Sequence, residues 1–145
     1  MAYRTVTDID APAARVWQVW MDLERWPEWT PTMTSVTRLE KGMFRTGSSV
    51  RIKQPRLPEA VWRVSSLTPE KNFTWAARSG GVTTTARHVV TAREGGGCTA
   101  ESHVVQRGPF AWMAKLFFGR LTKQYVEEEA RGLKQRCEAE PSPES

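Results

Sequence analysis

The sequence predicts a single α+β domain in which helices cover an antiparallel sheet. Residues 33–107 contain six consecutive strand-like segments separated by short turn signals, and such short connections favour antiparallel hairpins. Residues 109–138 contain no proline after Pro109 and predict one long helix. Helices that are segregated from an antiparallel sheet define this fold class.

The chain before the sheet predicts one strand and two short helices. Residues 3–10 alternate weakly between polar and apolar side chains, which favours a strand. Asp10 can cap a helix and Pro12 suits its first turn, so a short helix is expected to run to about residue 21. Residues 22–29 predict a second short helix or a tight turn, which Pro27 keeps short.

The strands of the sheet are bounded by turns that contain glycine or proline. The clearest hairpin is formed by the last two strands, which flank the triple glycine Gly95-Gly96-Gly97. The six predicted strands after the short helices are 33–40, 48–54, 60–67, 71–78, 82–93 and 97–107.

The long helix divides into two halves of different composition. Residues 110–121 are rich in aromatic and aliphatic side chains, and we interpret this half as a lid over the sheet. The second half is charged, and we interpret it mainly as a solvated scaffold with Glu127, Glu128 and Glu129 on its solvated face. The segment 139–145 predicts a disordered tail, so the domain is expected to span residues 1–138.

Charge and hydropathy exclude several classes of function. The net charge is +5, but the basic residues are scattered and form no run, so we expect no nucleic-acid partner. The N-terminus lacks the apolar block of a signal peptide, and no apolar run approaches the roughly 20 residues of a membrane span. A cytoplasmic location is therefore the expectation.

The sequence predicts neither a metal site nor a cofactor site. Cys98 and Cys137 lack the spacing of a zinc site or a disulfide framework, and we interpret both as buried apolar fillers. The two histidines, His88 and His103, have no companion ligands in sequence, so no metal is expected. No Gly-rich phosphate loop or hydrolase motif occurs, so no cofactor is expected.

Three segments together resemble a known family. They are IDAPAARVWQVWMDLERWPEWTPTM, GVTTTARHVVTAREGGGCTAESHVVQRG and VEEEARGLKQRCE. They resemble the polyketide cyclase/dehydrase-like branch of the START-like (SRPBCC) superfamily, over residues 3–138. The resemblance implies the helix-grip fold, in which a curved seven-stranded antiparallel sheet wraps around the long C-terminal helix. It also implies a pocket for a hydrophobic small molecule, while the family's breadth leaves the function open.

His88 is the main candidate for polar chemistry in that pocket. Alternation places it with Val82, Thr84 and Ala86 on the more apolar, concave face of its strand. It is there a candidate ligand donor or general acid/base, the alternative being a structural histidine in the core. His103 and Glu101 are expected on the outer face of the next strand, and a register shift of one residue would reverse both.

The remaining candidate ligand contacts are apolar or aromatic side chains on the concave face and on the long helix. For Trp62, Trp75 and the helical stripe, an ordinary core role is the alternative, and Tyr125 adds a phenol that could orient a ligand oxygen. The candidates are Trp62, Phe73, Trp75, Thr84 and Val90 on the strands, and Met113, Phe117, Leu121 and Tyr125 on the helix.

We therefore expect a protein that binds or carries a hydrophobic or aromatic small molecule, as a monomer or homodimer. The first alternative is a polyketide cyclase or dehydratase that uses His88 as its acid/base. The second alternative is an accessory protein that presents a lipid or quinone at a membrane. Its motivation is the aromatic and basic group Trp112, Lys115, Phe118 and Arg120, if these side chains are exposed.

Overall fold

The computed structural model describes residues 2–139, which form seven strands, two α-helices and one 3₁₀ helix. The strands are β1 (Ala2–Ile9), β2 (Ser35–Arg38), β3 (Ser49–Lys53), β4 (Ala60–Thr68), β5 (Asn72–Ser79), β6 (Val82–Ala92) and β7 (Cys98–Arg107). The helices are α1 (Ala13–Met21), the 3₁₀ helix (Leu23–Glu28) and α2 (Ala111–Glu138).

All seven strands form one antiparallel sheet in the order β1-β7-β6-β5-β4-β3-β2. Consecutive strands pair from β2 to β7, whereas β1 pairs with β7, so the two short helices connect opposite edges of the sheet. The helix-grip prediction is confirmed: the curved antiparallel sheet and the long C-terminal helix are both present. Each predicted strand or helix is found within about three residues of its expected bounds.

The two short helices are fixed to the sheet by tryptophans. Trp20 of α1 and Trp26 of the 3₁₀ helix are fully buried. The indole N–H of Trp26 donates to the backbone carbonyl of Trp20 at 3.0 Å, which ties the helices together. Trp29, just after the 3₁₀ helix, is also buried. These residues thus close one end of the sheet with a dense aromatic core.

The second half of α2 is the part that packs into the protein. Every buried residue of α2 lies there: Tyr125, Gly132, Leu133 and Cys137. A Cβ atom at Gly132 would lie 2.0 Å from the carbonyl oxygen of Trp29, so only glycine permits this approach. The sequence also predicts an apolar stripe of Val126, Ala130, Leu133 and Cys137 in this half, and Leu133 and Cys137 are buried as that stripe predicts. The interpretation of this half as mainly a solvated scaffold therefore holds only for its outer face.

Of the predicted disordered tail, residues 140–145 lie outside the described residues. Within residues 2–139, no helix combines the length and the apolar character that crossing a membrane requires.

Candidate ligand-binding cavity

The concave face of the sheet and α2 enclose a cavity of about 610 Å³. Its walls come from β3 to β7, from the loop between β3 and β4, and from one side of α2. Cavities of this size hold small organic ligands, and an apolar lining with a few polar groups is their usual composition. Seven of the candidate residues lie in the cavity wall: Trp62, Trp75, Thr84, His88, Met113, Phe117 and Tyr125.

Three candidate residues do not line the cavity. Phe73 is fully buried and Val90 nearly so, because both lie at the end of the sheet that the short helices cover. Leu121 is only half-buried, and its neighbours Phe118 and Thr122 line the cavity instead. The alternation that placed Phe73 and Val90 on the concave face was correct, but other core side chains occupy the space in front of them.

His88 lies in an aromatic environment and is 3% exposed. Its imidazole stacks on Phe73 with ring centroids 4.4 Å apart and planes 6° apart. Trp20, Trp26 and Trp75 approach the same ring edge-on, with centroids 5.4, 5.9 and 5.8 Å away. These contacts hold the imidazole in one orientation while the residue still forms part of the cavity wall.

Glu129 of α2 is the polar partner of His88. The Nε2 atom of His88 lies 3.2 Å from Oε1 of Glu129, and both residues line the cavity. With Glu129 ionised, Nε2 carries the proton and donates it. The Nδ1 atom then keeps a lone pair, and it has no hydrogen-bond partner among residues 2–139. A buried nitrogen without a partner is costly in an apolar core, and such groups often serve a function.

Glu129 was missed because it was assigned to the solvated face of the helix. That assignment is wrong: Glu129 is half-buried and points its carboxylate at His88. The signal was present, since the predicted stripe Met113, Phe117, Leu121 and Tyr125 reaches Glu129 in one further step of four residues. Its position in a run of three glutamates favoured the solvated interpretation instead.

Tyr125 fixes the rim of the cavity rather than offering a free phenol. Its hydroxyl donates a hydrogen bond to the carbonyl of Pro55 in the loop between β3 and β4. Lys53 holds the same loop through hydrogen bonds to the carbonyls of Gln54, at 2.8 Å, and Leu57, at 2.5 Å. The phenol proton is thus used within the protein, and only the oxygen lone pairs of Tyr125 could meet a ligand.

His103 and Glu101 lie outside the cavity, as predicted from the alternation of β7. Ser102, Val104 and Gln106 take the concave positions and line the wall. Glu101 instead accepts a 2.7 Å hydrogen bond from Arg4 of the neighbouring strand β1. That hydrogen bond holds the pKa of the Glu101 carboxyl below its ordinary value, and His103 adds a smaller effect in the same direction. The register shift that would bring His103 and Glu101 to the concave side with His88 is therefore not observed.

The cavity has a buried end and an exposed end. His88 and Ala86 are buried, whereas Gly80, Phe110 and Phe117 line the cavity and are solvent-exposed. The six residue-to-residue steps from Val82 to His88 on β6 span about 20 Å at the rise of a strand. The cavity therefore opens near the β5–β6 turn and the start of α2, and the His88–Glu129 pair lies at its buried end.

The other polar groups of the cavity wall are neutral. Thr84 and Ser102 contribute hydroxyls from the sheet, and Thr122 lies on α2, where its hydroxyl donates to the carbonyl of Phe118 at 2.9 Å. Among residues 2–139, no three His, Cys, Asp or Glu side chains are grouped so that they could hold a metal ion. The charged chemistry of the cavity is thus concentrated at His88 and Glu129.

The sequence matches the family described as polyketide cyclase / dehydrase and lipid transport over residues 2–138. The chain belongs to this family. The match covers the sheet, the short helices and α2, and it agrees with the resemblance found in the sequence. No protein of curated function matches the sequence significantly.

Solved structures share the fold at low sequence identity. A START superfamily protein from Mycobacterium smegmatis is 16% identical with a TM-score of 0.74, over 94% of this chain and 97% of that one. A hypothetical protein from Helicobacter pylori is 9% identical with a TM-score of 0.79, over 94% and 86% of the two chains. The di-domain ARO/CYC BexL from the BE-7585A biosynthetic pathway is 18% identical with a TM-score of 0.74, over 97% of this chain and 51% of that one.

Proposed function

We propose that this protein binds a mostly apolar small molecule of the lipid, polyketide or quinone-like class in its cavity, with a polar group of the ligand at His88 and Glu129. The observation that carries the proposal is the combination of a cavity of about 610 Å³, walls of aromatic and aliphatic side chains, and the hydrogen-bonded His88–Glu129 pair at its buried end. Burial of apolar surface supplies the affinity, and the polar pair selects ligands by their polar end.

The polar end of the ligand is expected to carry a hydroxyl or phenol group. Nδ1 of His88 accepts a hydrogen bond when Nε2 donates to Glu129, and the carboxylate of Glu129 has further lone pairs for a donor. A ligand without a donor leaves these buried acceptors unpaired, which weakens binding. The protein therefore favours an amphipathic ligand over a plain hydrocarbon.

The test is native mass spectrometry of the protein purified from its own source, followed by extraction of the bound molecule. We expect one class of apolar molecule with at least one hydroxyl or phenol group. Recovery of only polar metabolites would overturn the proposal.

A matched pair of variants shows whether the molecule occupies this cavity. Ala77→Leu combined with Ala86→Leu fills the concave side of β5 and β6, where both alanines line the cavity. Ala76→Leu combined with Thr85→Leu adds similar volume on the opposite face of the same strands, where the two residues are paired in register. The first variant is expected to lose the co-purifying mass, and the second to keep it.

A cyclase or dehydratase is the second candidate function, and the His88–Glu129 pair is the observation that favours it. A carboxylate that orients a histidine is a common arrangement for a general base, and the surrounding apolar wall keeps water away. In this case His88 would remove a proton next to a carbonyl of the bound chain.

The two functions differ in what happens to the bound molecule. The extracted molecule is returned to purified protein, and its mass is followed with time. A carrier leaves both the mass and the chromatographic retention of the molecule unchanged. A cyclase changes the retention at constant mass, because ring closure alone is an isomerisation, and a dehydratase lowers the mass by that of one water. If conversion occurs, His88→Gln should abolish it while the molecule still co-purifies, because glutamine retains polar groups without a titrating base.

A further inference from the structure

The first half of α2 exposes large apolar side chains that the cavity does not use. Trp112 is 60% exposed and Leu116 is 69% exposed, and neither lines the cavity. They lie four residues apart and so share one face of the helix. Phe110, Met113 and Phe117 beside them are also exposed, although they contribute to the cavity wall. A contiguous apolar patch of this kind on a surface usually marks an interaction site.

The chain in and around this half of the helix carries only positive charge. Between Val104 and Val126 it contains Arg107 at the end of β7 and Lys115, Arg120 and Lys123 on α2, but no Asp or Glu. All four are exposed, and none forms an ion pair within the described part of the chain, residues 2–139. The second half differs, because there Lys134 pairs with Glu138 at 2.5 Å and Arg136 pairs with Glu28 at 3.0 Å.

The patch adjoins the exposed end of the cavity. Phe110 packs closely against Gly81 of the β5–β6 turn: a Cβ atom at Gly81 would lie 2.4 Å from the ring of Phe110. This contact fixes the start of α2 to the turn that borders the cavity entrance. We define the docking face as Trp112, Lys115, Leu116, Arg120 and Lys123, which are exposed, do not line the cavity and share the outer side of α2. This face begins two residues after Phe110, at the entrance end of the helix.

We propose that the docking face binds the surface of an anionic phospholipid bilayer and so places the cavity entrance against the lipid. Trp and Leu side chains enter the boundary between headgroups and acyl chains, while lysines and arginines meet the anionic headgroups. The helix lies in the plane of the surface. Entry of a bilayer-soluble molecule from the membrane into the cavity rests on the proposed function. Docking of the helix on the membrane does not.

A bilayer fits these observations better than another macromolecule does. The three unpaired cations of the docking face match a surface of negative charge, and its aliphatic Leu116 has no natural partner on a phosphate backbone of nucleic acid. A second copy of the chain would bring the same three cations together across the interface, which is unfavourable without acidic partners. The positive charge of the docking face, together with its apolar side chains, therefore favours an anionic lipid surface over nucleic acid or a second copy of the chain.

The experiment is co-sedimentation of the full chain with vesicles of phosphatidylcholine alone and of phosphatidylcholine mixed with phosphatidylglycerol. We expect binding to the anionic vesicles that falls as salt is raised, since surface charges are screened. Replacing Lys115, Arg120 and Lys123 by glutamine should weaken binding about fivefold for each charge removed. Equal binding to both kinds of vesicle would overturn the electrostatic part of the proposal.

A matched pair of double variants tests the apolar part. Trp112→Glu with Leu116→Glu places two acids on the docking face, and it should weaken vesicle binding about tenfold or more. Met43→Glu with Val61→Glu makes the same chemical change at two exposed apolar side chains elsewhere, and it should weaken binding much less. An equal loss in both pairs, or no binding by the unaltered chain, would overturn the proposal.

Two further measurements separate this proposal from its neighbours. The first is sedimentation velocity without vesicles. If the unaltered chain self-associates and the Trp112→Glu, Leu116→Glu variant is monomeric, the docking face binds a second copy of the chain and the membrane proposal is overturned. The cavity-filling variant Ala77→Leu with Ala86→Leu should still bind anionic vesicles. If it does so while no apolar molecule is ever recovered from the cavity, the proposed function fails and the docking face stands.

Discussion

The two halves of α2 have opposite composition and opposite burial. Residues 111–121 are the more apolar half, yet none of them is buried, and Leu116 and Phe117 are among the most exposed apolar side chains of the protein. The second half is rich in charge, yet it contains Tyr125, Gly132, Leu133 and Cys137, which are all buried. The comparison teaches that burial follows what packs opposite a helix face, not the average hydropathy of the segment.

The difference follows from what each half meets. The second half lies against Trp29 and against β1, where a glycine lets the backbones approach closely. The first half spans the cavity, so its inner side faces a space and its outer side faces solvent. The first half is therefore available for ligand and surface contacts, whereas the second half stabilises the fold and also adds Tyr125, Val126 and Glu129 to the cavity wall.

The largest expected effect compares a buried leucine with an exposed one. Leu133→Ala removes a side chain that is 4% exposed and leaves a cavity, so it should lower the free energy of unfolding by about 2–5 kcal/mol. Leu116→Ala should change it by less than about 0.5 kcal/mol, because that side chain is already in solvent. Urea denaturation measures both, and equal losses would contradict the comparison.

Replacing the two glycines of α2 by alanine is expected to change the free energy of unfolding by smaller amounts, in opposite directions at the two positions. Gly132→Ala should lower the free energy of unfolding by about 1–3 kcal/mol, because its Cβ would lie 2.0 Å from the Trp29 carbonyl oxygen and the helix must shift. At Gly119 the nearest atom is the Tyr3 hydroxyl, 3.3 Å away. Gly119→Ala should therefore be neutral or raise stability by up to about 1 kcal/mol through helix propensity. Thermal unfolding of both variants tests this, and a stable Gly132→Ala would contradict the close packing.

The change with the smallest expected effect on stability is Leu116→Cys, and it allows the reactivity of thiols in the two halves of α2 to be compared. Burial raises the pKa of the Cys137 thiol to about 12, so almost no thiolate is present at pH 8. Leu116→Cys should fold normally and present an exposed thiol with an ordinary pKa. Iodoacetamide should modify residue 116 in that variant at least a hundredfold faster than Cys137, as peptide mass spectrometry can follow. Similar rates at the two sites would mean that the second half opens readily.

Local sequence pattern predicted the elements and seven of the residues that line the cavity. Alternation on β6 and β7 placed Thr84 and His88 inside and His103 outside, because successive side chains of a strand point to opposite faces. The same rule named Phe73 and Val90 as ligand contacts. It failed there because alternation gives the face of the sheet but not whether a ligand or a neighbouring helix covers that face.

The polar centre of the cavity shows the same limit. His88 was identified from β6 alone, but its partner Glu129 lies 41 residues further along the chain, in another element. One further step of the helical stripe would have placed Glu129 on the cavity side, whereas the run of three glutamates favoured a position in solvent. The 3.2 Å distance between Nε2 of His88 and Oε1 of Glu129 shows that the cavity position is correct.

The sequence by itself determined the order of the strands and helices and the face on which each strand side chain lies, because these depend on local spacing and turn chemistry. The family followed from the resemblance of three segments to known sequences. The tertiary structure alone decided which half of α2 is buried, that Glu129 meets His88, and that a space of about 610 Å³ remains between helix and sheet. These features depend on distances between segments far apart in the chain, and periodicity within one segment carries no information about them.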